Sequence, residues 1–180
     1  MVMSQELKAE CKGSVIKTML EFIKKYRGVE LQNEAMKLTQ IDKINNILDD
    51  KWYLANDYLK LMDFVAEKMG NDGLERYGIY SVESIPFMKR ILTLDMNSAM
   101  EKFKTNITEV CKNAVVNYSE EDKEFFVKMK APSIKMNDKV SYVMLGSIKG
   151  FLKKVTNSGD AKIHSIEDDI LTLNVSLNRH

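Results

Sequence analysis

Histidine, cysteine, proline and tryptophan are scarce in this 180-residue chain, which holds two, two, two and one of them. Neither His164 nor the terminal His180 has a second histidine or a cysteine at ligand spacing, so no metal site is expected. Two cysteines make no disulfide framework, and the simplest reading is a reduced, cytoplasmic chain. Charge of one sign is lacking too. With 27 basic and 26 acidic residues the net charge is +1, so no global field favours nucleic acid or an anionic membrane. No apolar run reaches the length of a bilayer span, and the N-terminus shows no signal-peptide core. A glycine-rich phosphate loop, a Gly-x-Ser-x-Gly elbow and a Cys–His pairing are all missing, so no catalytic residue can be named.

What the chain does have is ordinary apolar content, 44%, enough for a real core. Its twelve methionines read first as core filler, although methionine also suits adaptable apolar sites. The organising stretch is Asp138 to Leu177. Val140, Val143, Met144, Ile148, Phe151, Leu152 and Val155 recur on one helical face. Asn157-Ser158-Gly159 stops that helix. Ala161 to Glu167, the turn Asp168-Asp169 and Ile170 to Leu177 then read as two paired strands. Leu171, Leu173, Val175 and Leu177 alternate with Thr172, Asn174 and Ser176, a pattern predicting one buried face.

Upstream, residues 1 to 12 read as a frayed lead-in. Ser14 is placed to cap a helix to Tyr26, ended by Gly28; its stripe, Val15 to Tyr26, is wider than one core needs. Helices over Glu30–Leu38 and Ile41–Leu48 follow. A strong helix starts near Leu54 and closes at Gly70. Asn71-Asp72-Gly73 reads as a turn, Leu74–Tyr80 as a short helix, and Ile85-Pro86-Phe87 as the start of another segment. Asp95–Lys112 reads helical. After Asn113 the period changes to two: Ala114, Val116 and Tyr118 form one strand face, Ser119-Glu120-Glu121-Asp122 a turn, and Phe125, Val127 and Met129 a second face ended at Pro132. Two hairpins flanking a helix predict an α+β fold: an N-terminal helical bundle plus a C-terminal ββαββ four-stranded antiparallel sheet with helices on one face. It is read as a single domain over 14–177, mostly helical to 112 and ββαββ from 113.

A few positions invite more than a structural reading. His164 reads as a solvated strand position. Glu167-Asp168-Asp169 and Glu120-Glu121-Asp122 lack the ligand alternation of a calcium loop and read as polar turns. Gly146 and Gly150, four apart in a helix, imply close packing or a cavity kept open. Cys11 and Cys111 are either apolar filler or candidates for modification.

Two stretches carry a resemblance. Lys51-Trp52-Tyr53 through Tyr58, Phe64 and Gly70 to Arg76-Tyr77-Gly78 is one; Gly146-Ser147-Ile148-Lys149-Gly150-Phe151-Leu152 followed by Ala161-Lys162-Ile163-His164 is the other. In these and in the order of parts the chain resembles the superfamily joining haem nitric-oxide/oxygen-binding (H-NOX) domains, transport-particle (TRAPP) subunits and 4-vinyl-reductase-type domains. The haem branch has a histidine on an N-terminal helix and a Tyr-x-Ser-x-Arg motif. This chain has neither, so no haem and no other cofactor is expected. Nor do cysteines stand in its final hairpin, as in the 4-vinyl-reductase branch, and neither cysteine matches the lipidated one of transport-particle subunits.

The resemblance implies a non-enzymatic sensory or docking domain in prokaryotic signalling. It would bind a small apolar ligand, a protein partner or both, in a pocket between the sheet and the N-terminal helices. Phe103, Val127, Met129, Met144 and Phe151 are the expected lining. A homodimerisation module using the Val15–Tyr26 face is the alternative, and an enzyme assembled from distant residues the third reading.

Overall fold

The computed structural model describes residues 9–39, 44–84, 96–121, 124–131, 134–156 and 159–176. Expectations resting on Ile41, Ile85-Pro86-Phe87, Asp95, Asp122, Pro132, Asn157, Ser158, Leu177 and His180 lie outside these residues. The elements are β1 (Glu10–Lys12), α1 (Gly13–Arg27), α2 (Val29–Lys37), a 3-10 turn (Ile44–Asn46), β2 (Trp52–Leu54), α3 (Ala55–Glu83), α4 (Met96–Val110), β3 (Val115–Glu121), β4 (Glu124–Lys130), α5 (Asp138–Thr156), β5 (Asp160–Glu167) and β6 (Ile170–Ser176).

The C-terminal sheet runs β3-β4-β6-β5, antiparallel throughout. Its rows follow from the two-residue period. Val116 faces Met129, which faces Leu171; Tyr118 faces Val127, which faces Leu173. These residues form the inner face, and all but Tyr118 are buried. Asp168 and Asp169 take φ of 51° and 59°, the left-handed pair that a two-residue hairpin turn needs. Val140, Val143, Ile148, Phe151, Leu152 and Val155 of α5 are buried, so the predicted stripe is the packed one.

Several expectations are corrected. The lead-in is ordered from Ala9, and Glu10–Lys12 pairs antiparallel with Trp52–Leu54, an extra two-stranded ribbon. Three residues carry too little periodicity to reveal it. Ser14 lies inside α1 rather than capping it, since Lys12 holds the cap position. The helix expected over Ile41–Leu48 is, where described, one 3-10 turn. Asn71-Asp72-Gly73 is helical: Gly70 alone breaks α3, at φ 69° and ψ −173°. Ser119, Glu120 and Glu121 continue β3 instead of turning. Thr172 and Asn174 are buried, because β6 lies between β4 and β5 and their side chains cover it; Asn174 donates to the Glu124 carboxylate. His164 sits at a bulge in β5, exposed, its ring edge-on to Phe126.

The closest contact in the fold joins the second half of α3 to α5. A Cβ on Gly78 would fall 2.2 Å from the Val143 carbonyl oxygen, and one on Gly146 1.9 Å from that of Glu75. Only glycine permits backbones this near. Lys149 locks the crossing from outside, at 3.0 Å from Glu75 and 3.5 Å from Asp160. Of the two readings of the Gly146–Gly150 spacing, close packing is what the geometry shows.

Candidate functional site

Beside that crossing lies an apolar cavity of about 140 Å³. Each wall is a helix. Val15 and Thr18 come from α1, Tyr58 and Tyr77 from α3, Phe103 and Ile107 from α4, and Val143 and Met144 from α5. A smaller cavity of about 30 Å³ shares Tyr58, Ile107, Cys111 and Met144 and reaches the sheet at Val116 and Met129. The glycine crossing explains the space. It holds α3 and α5 together on one side, while the larger Phe103 and Ile107 stand α4 off on the other.

Phe103 and Met144, both expected as lining, stand in the wall of the larger cavity, and Met129 in that of the smaller. Val127 and Phe151 are buried behind them; Phe151 packs on Phe103 with ring centroids 5.4 Å apart. The larger cavity is therefore ringed by helices rather than roofed by the sheet, as had been expected.

Four groups with ionisable protons gather at its floor. The Tyr77 hydroxyl donates to the Val15 carbonyl at 3.1 Å, and the Tyr58 ring stands beside the Tyr77 ring with centroids 6.3 Å apart. Cys111 lines the cavity and Cys11 lies behind it. Burial pushes the Cys11 thiol up to about 12, with the nearby Cys111 and Asp57 adding to it, and pushes Cys111 up to about 11. Burial raises both phenols further above their ordinary range. All four are therefore neutral at physiological pH, so thiol chemistry there is slow and quickens as pH rises. Sequence reading quoted Tyr58 and Tyr77 in one motif of the resemblance without a role at a site, and left the cysteines apart. Both tyrosines are buried on α3 on either side of the Gly70 break, so no single helical period links them.

No family model matches the chain, and no curated protein does. Solved structures do. An H-NOX protein from S. oneidensis in the Fe(II)NO ligation state superposes with a TM-score of 0.73 at 12% identity, over 93% of this chain and 99% of that one. An unliganded Fe(II) H-NOX protein from K. algicida gives 0.69 at 13% identity, over 94% and 97%. A structure probing heme distortion in the H-NOX family gives 0.70 at 16%, over 93% and 95%. The chain has an H-NOX-like fold.

These findings correct the expectation that no cofactor, haem included, goes with this chain. Proteins whose fold it shares were solved in Fe(II) and Fe(II)NO states, and one in a study of heme distortion, so haem is not to be set aside for this fold. The missing histidine was too narrow a criterion, since cysteine, tyrosine and methionine also ligate haem iron. The cavity offers all three: the Cys111 thiol, the Tyr58 and Tyr77 phenols and the Met144 thioether. Ser14 and Thr18 add hydroxyls to the lining, whereas the Ser81 hydroxyl is already donated to the Gly78 carbonyl at 2.8 Å. These donor types suit haem iron, but the thiol and phenols would have to lose their protons to bind it. At about 140 Å³ the space is that of a benzene- or xenon-binding cavity, so a porphyrin requires the α4 wall to move outward.

Proposed function

We propose that this chain is a non-enzymatic sensory domain of prokaryotic signalling, in a reducing cytoplasm, that binds an apolar ligand in the cavity between α1, α3, α4 and α5. Residues 14–177 act as one unit in this reading, with Phe103 and Met144 touching the ligand, Met129 lining the smaller neighbouring space and Val127 and Phe151 buried behind. The observation that carries it is an apolar, helix-walled cavity in an H-NOX-like fold. Haem is the occupant proposed, held by Cys111 or Tyr58 with Met144 beside it. When bound, it supplies an iron centre for a small gas, as in the S. oneidensis protein solved with NO. The chain's own contribution is to exclude water, through Val15, Ile107 and Val143, and to fix the Tyr77 hydroxyl on the Val15 carbonyl. Ligand entry would push on α4 and be felt by α5 through the Phe103–Phe151 contact.

Of the α1 stripe that prompted the homodimer alternative, Tyr26 stands 47% exposed and Val15 is half-buried, while the rest is packed inside. Ile16, Met19, Leu20, Phe22 and Ile23 of α1 are each 0% exposed within one chain.

The test is a hemin titration of the purified chain, read by absorption and native mass spectrometry. Stoichiometric uptake with a Soret band that shifts in Cys111→Ala or Tyr58→Phe supports the reading. Uptake unchanged in both variants and in the cavity-filling Val110→Phe places haem elsewhere. No uptake by the wild type rejects the haem assignment.

A further inference from the structure

The fold joins two side chains that the sequence leaves far apart. Cys11 is the middle residue of β1 and Cys111 follows α4 directly, and the two are partners in an antiparallel bridge. The Lys112 amide donates to the Glu10 carbonyl at 3.0 Å. A bond from the residue after one partner to the residue before the other marks the narrow, non-hydrogen-bonded kind of pair. There the Cα atoms stand about 4.5 Å apart and the side chains approach most closely. A disulfide spans Cα separations of about 4.4–6.8 Å. Both thiols are free.

The backbone on either side is fixed. Cys11 faces Tyr53 across the ribbon, and the Ala55 amide donates to Ala9 at 2.9 Å. The Lys112 ammonium pairs with the Glu10 carboxylate outside. Access is unequal: Cys11 is 0% exposed, whereas Cys111 is half-buried and lines both cavities.

We propose that Cys11 and Cys111 form a reversible disulfide, with Cys111 as the thiol that meets the oxidant and Cys11 as the resolving thiol. With hydrogen peroxide, the Cys111 sulfur takes one oxygen, giving a sulfenic acid and one water. The Cys11 sulfur then attacks it, forming the S–S bond and expelling the second water. With a low-molecular-weight disulfide, Cys111 forms a mixed disulfide and releases one thiol, and attack by Cys11 releases the other. Either way two protein thiols lose two electrons and two protons to the reagent; a dithiol reductant reverses the change. Transient, redox-sensing disulfides are the kind a reducing compartment allows.

The link would tie β1 to the C-terminal end of α4, whose Phe103, Ile107 and Val110 form one cavity wall. It would also remove the Cys111 thiol from that wall. Redox state and ligand occupancy would thus act on the same helix, but the disulfide itself does not depend on the ligand reading.

The experiment is oxidation of the purified full-length chain by hydrogen peroxide and, separately, by oxidised glutathione at mildly alkaline pH. Intact mass and alkylatable thiols are read after non-reducing denaturation. A monomer lighter by two hydrogens, with no free thiol and a Cys11–Cys111 cross-linked peptide, is expected; a reductant restores both thiols. With glutathione, Cys11→Ser accumulates a mixed disulfide at Cys111 and Cys111→Ser stays unmodified. The wild-type measurement decides the linkage even if neither variant folds. Two thiols retained, intermolecular linkage only, or a cross-link formed only in denaturant overturns the proposal.

Discussion

Replacing Gly146 by alanine tests the α3–α5 crossing that positions the cavity. The added Cβ would lie 1.9 Å from the Glu75 carbonyl oxygen, 2.8 Å from its carbon and 3.0 Å from its Cα. All three are backbone atoms of a helix and cannot rotate away. The helices must separate by more than an ångström, along a contact that also brings Gly78 against Val143 and Gly150 against Ile79. Alanine gains about 1 kcal/mol in helix propensity, and overpacking a tight contact costs about 1–3 kcal/mol or more. Because the clashing atoms are backbone, the upper end of that cost applies, and the net expectation is a loss of about 2 kcal/mol, or a fall of about 4–8 °C in melting temperature for a chain of this size. Gly150→Ala is the control. Its nearest atoms, Ile79 Cα at 3.0 Å and O at 3.1 Å, need yield only slightly, so its melting temperature should stay close to the wild type. Thermal and urea unfolding followed by circular dichroism make the comparison. Gly146→Ala melting at or above the wild type would refute the backbone contact.

Other outcomes follow from the same structure. Tyr77→Phe removes the donor to the Val15 carbonyl and should cost about 1–3 kcal/mol in urea unfolding. A variant as stable as the wild type would contradict that bond. The Cys11 and Cys111 thiols titrate near 9 unfolded but at about 12 and about 11 folded, because burial opposes their charge. Their stabilisation is complete below pH about 9 and is lost as pH rises through the folded values, by up to about 1.4 kcal/mol per group per pH unit. Urea midpoints across that window should fall faster in the wild type than in the double serine variant. Oxidation of the pair closes a loop of about 100 residues, worth up to about 4–5 kcal/mol. A clear rise in melting temperature, reversed by reductant, is expected, and a cross-linked chain that melts unchanged would show the bond to be strained.

The sheet was legible because its residues obey strict alternation: Val127 and Met129 had to face one way once Lys128 faced the other. The α5 rod was legible because Val140 to Val155 repeats on one face for four turns. The β1–β2 ribbon was not. Its pairing joins residues such as Cys11 and Tyr53 that no local period links. The burial of Thr172 and Asn174 was hidden for a related reason, since polarity does not reveal that β6 is an interior strand. Of the site, the sequence offered Phe103, Met129 and Met144 as apolar inward residues. It did not offer Cys111 with Tyr58 and Tyr77, because that meeting is made by tertiary packing. The haem expectation failed by testing for one ligand type in one place.

The central claim is that an unfilled apolar space exists between α1, α3, α4 and α5 and accepts a ligand. Crystals of the chain pressurised with xenon test it most directly, since an apolar cavity of about 140 Å³ takes up such an atom. The account predicts a xenon peak among Phe103, Val143 and Met144, absent in Val110→Phe. Side chains filling that volume, with no xenon bound, would contradict it.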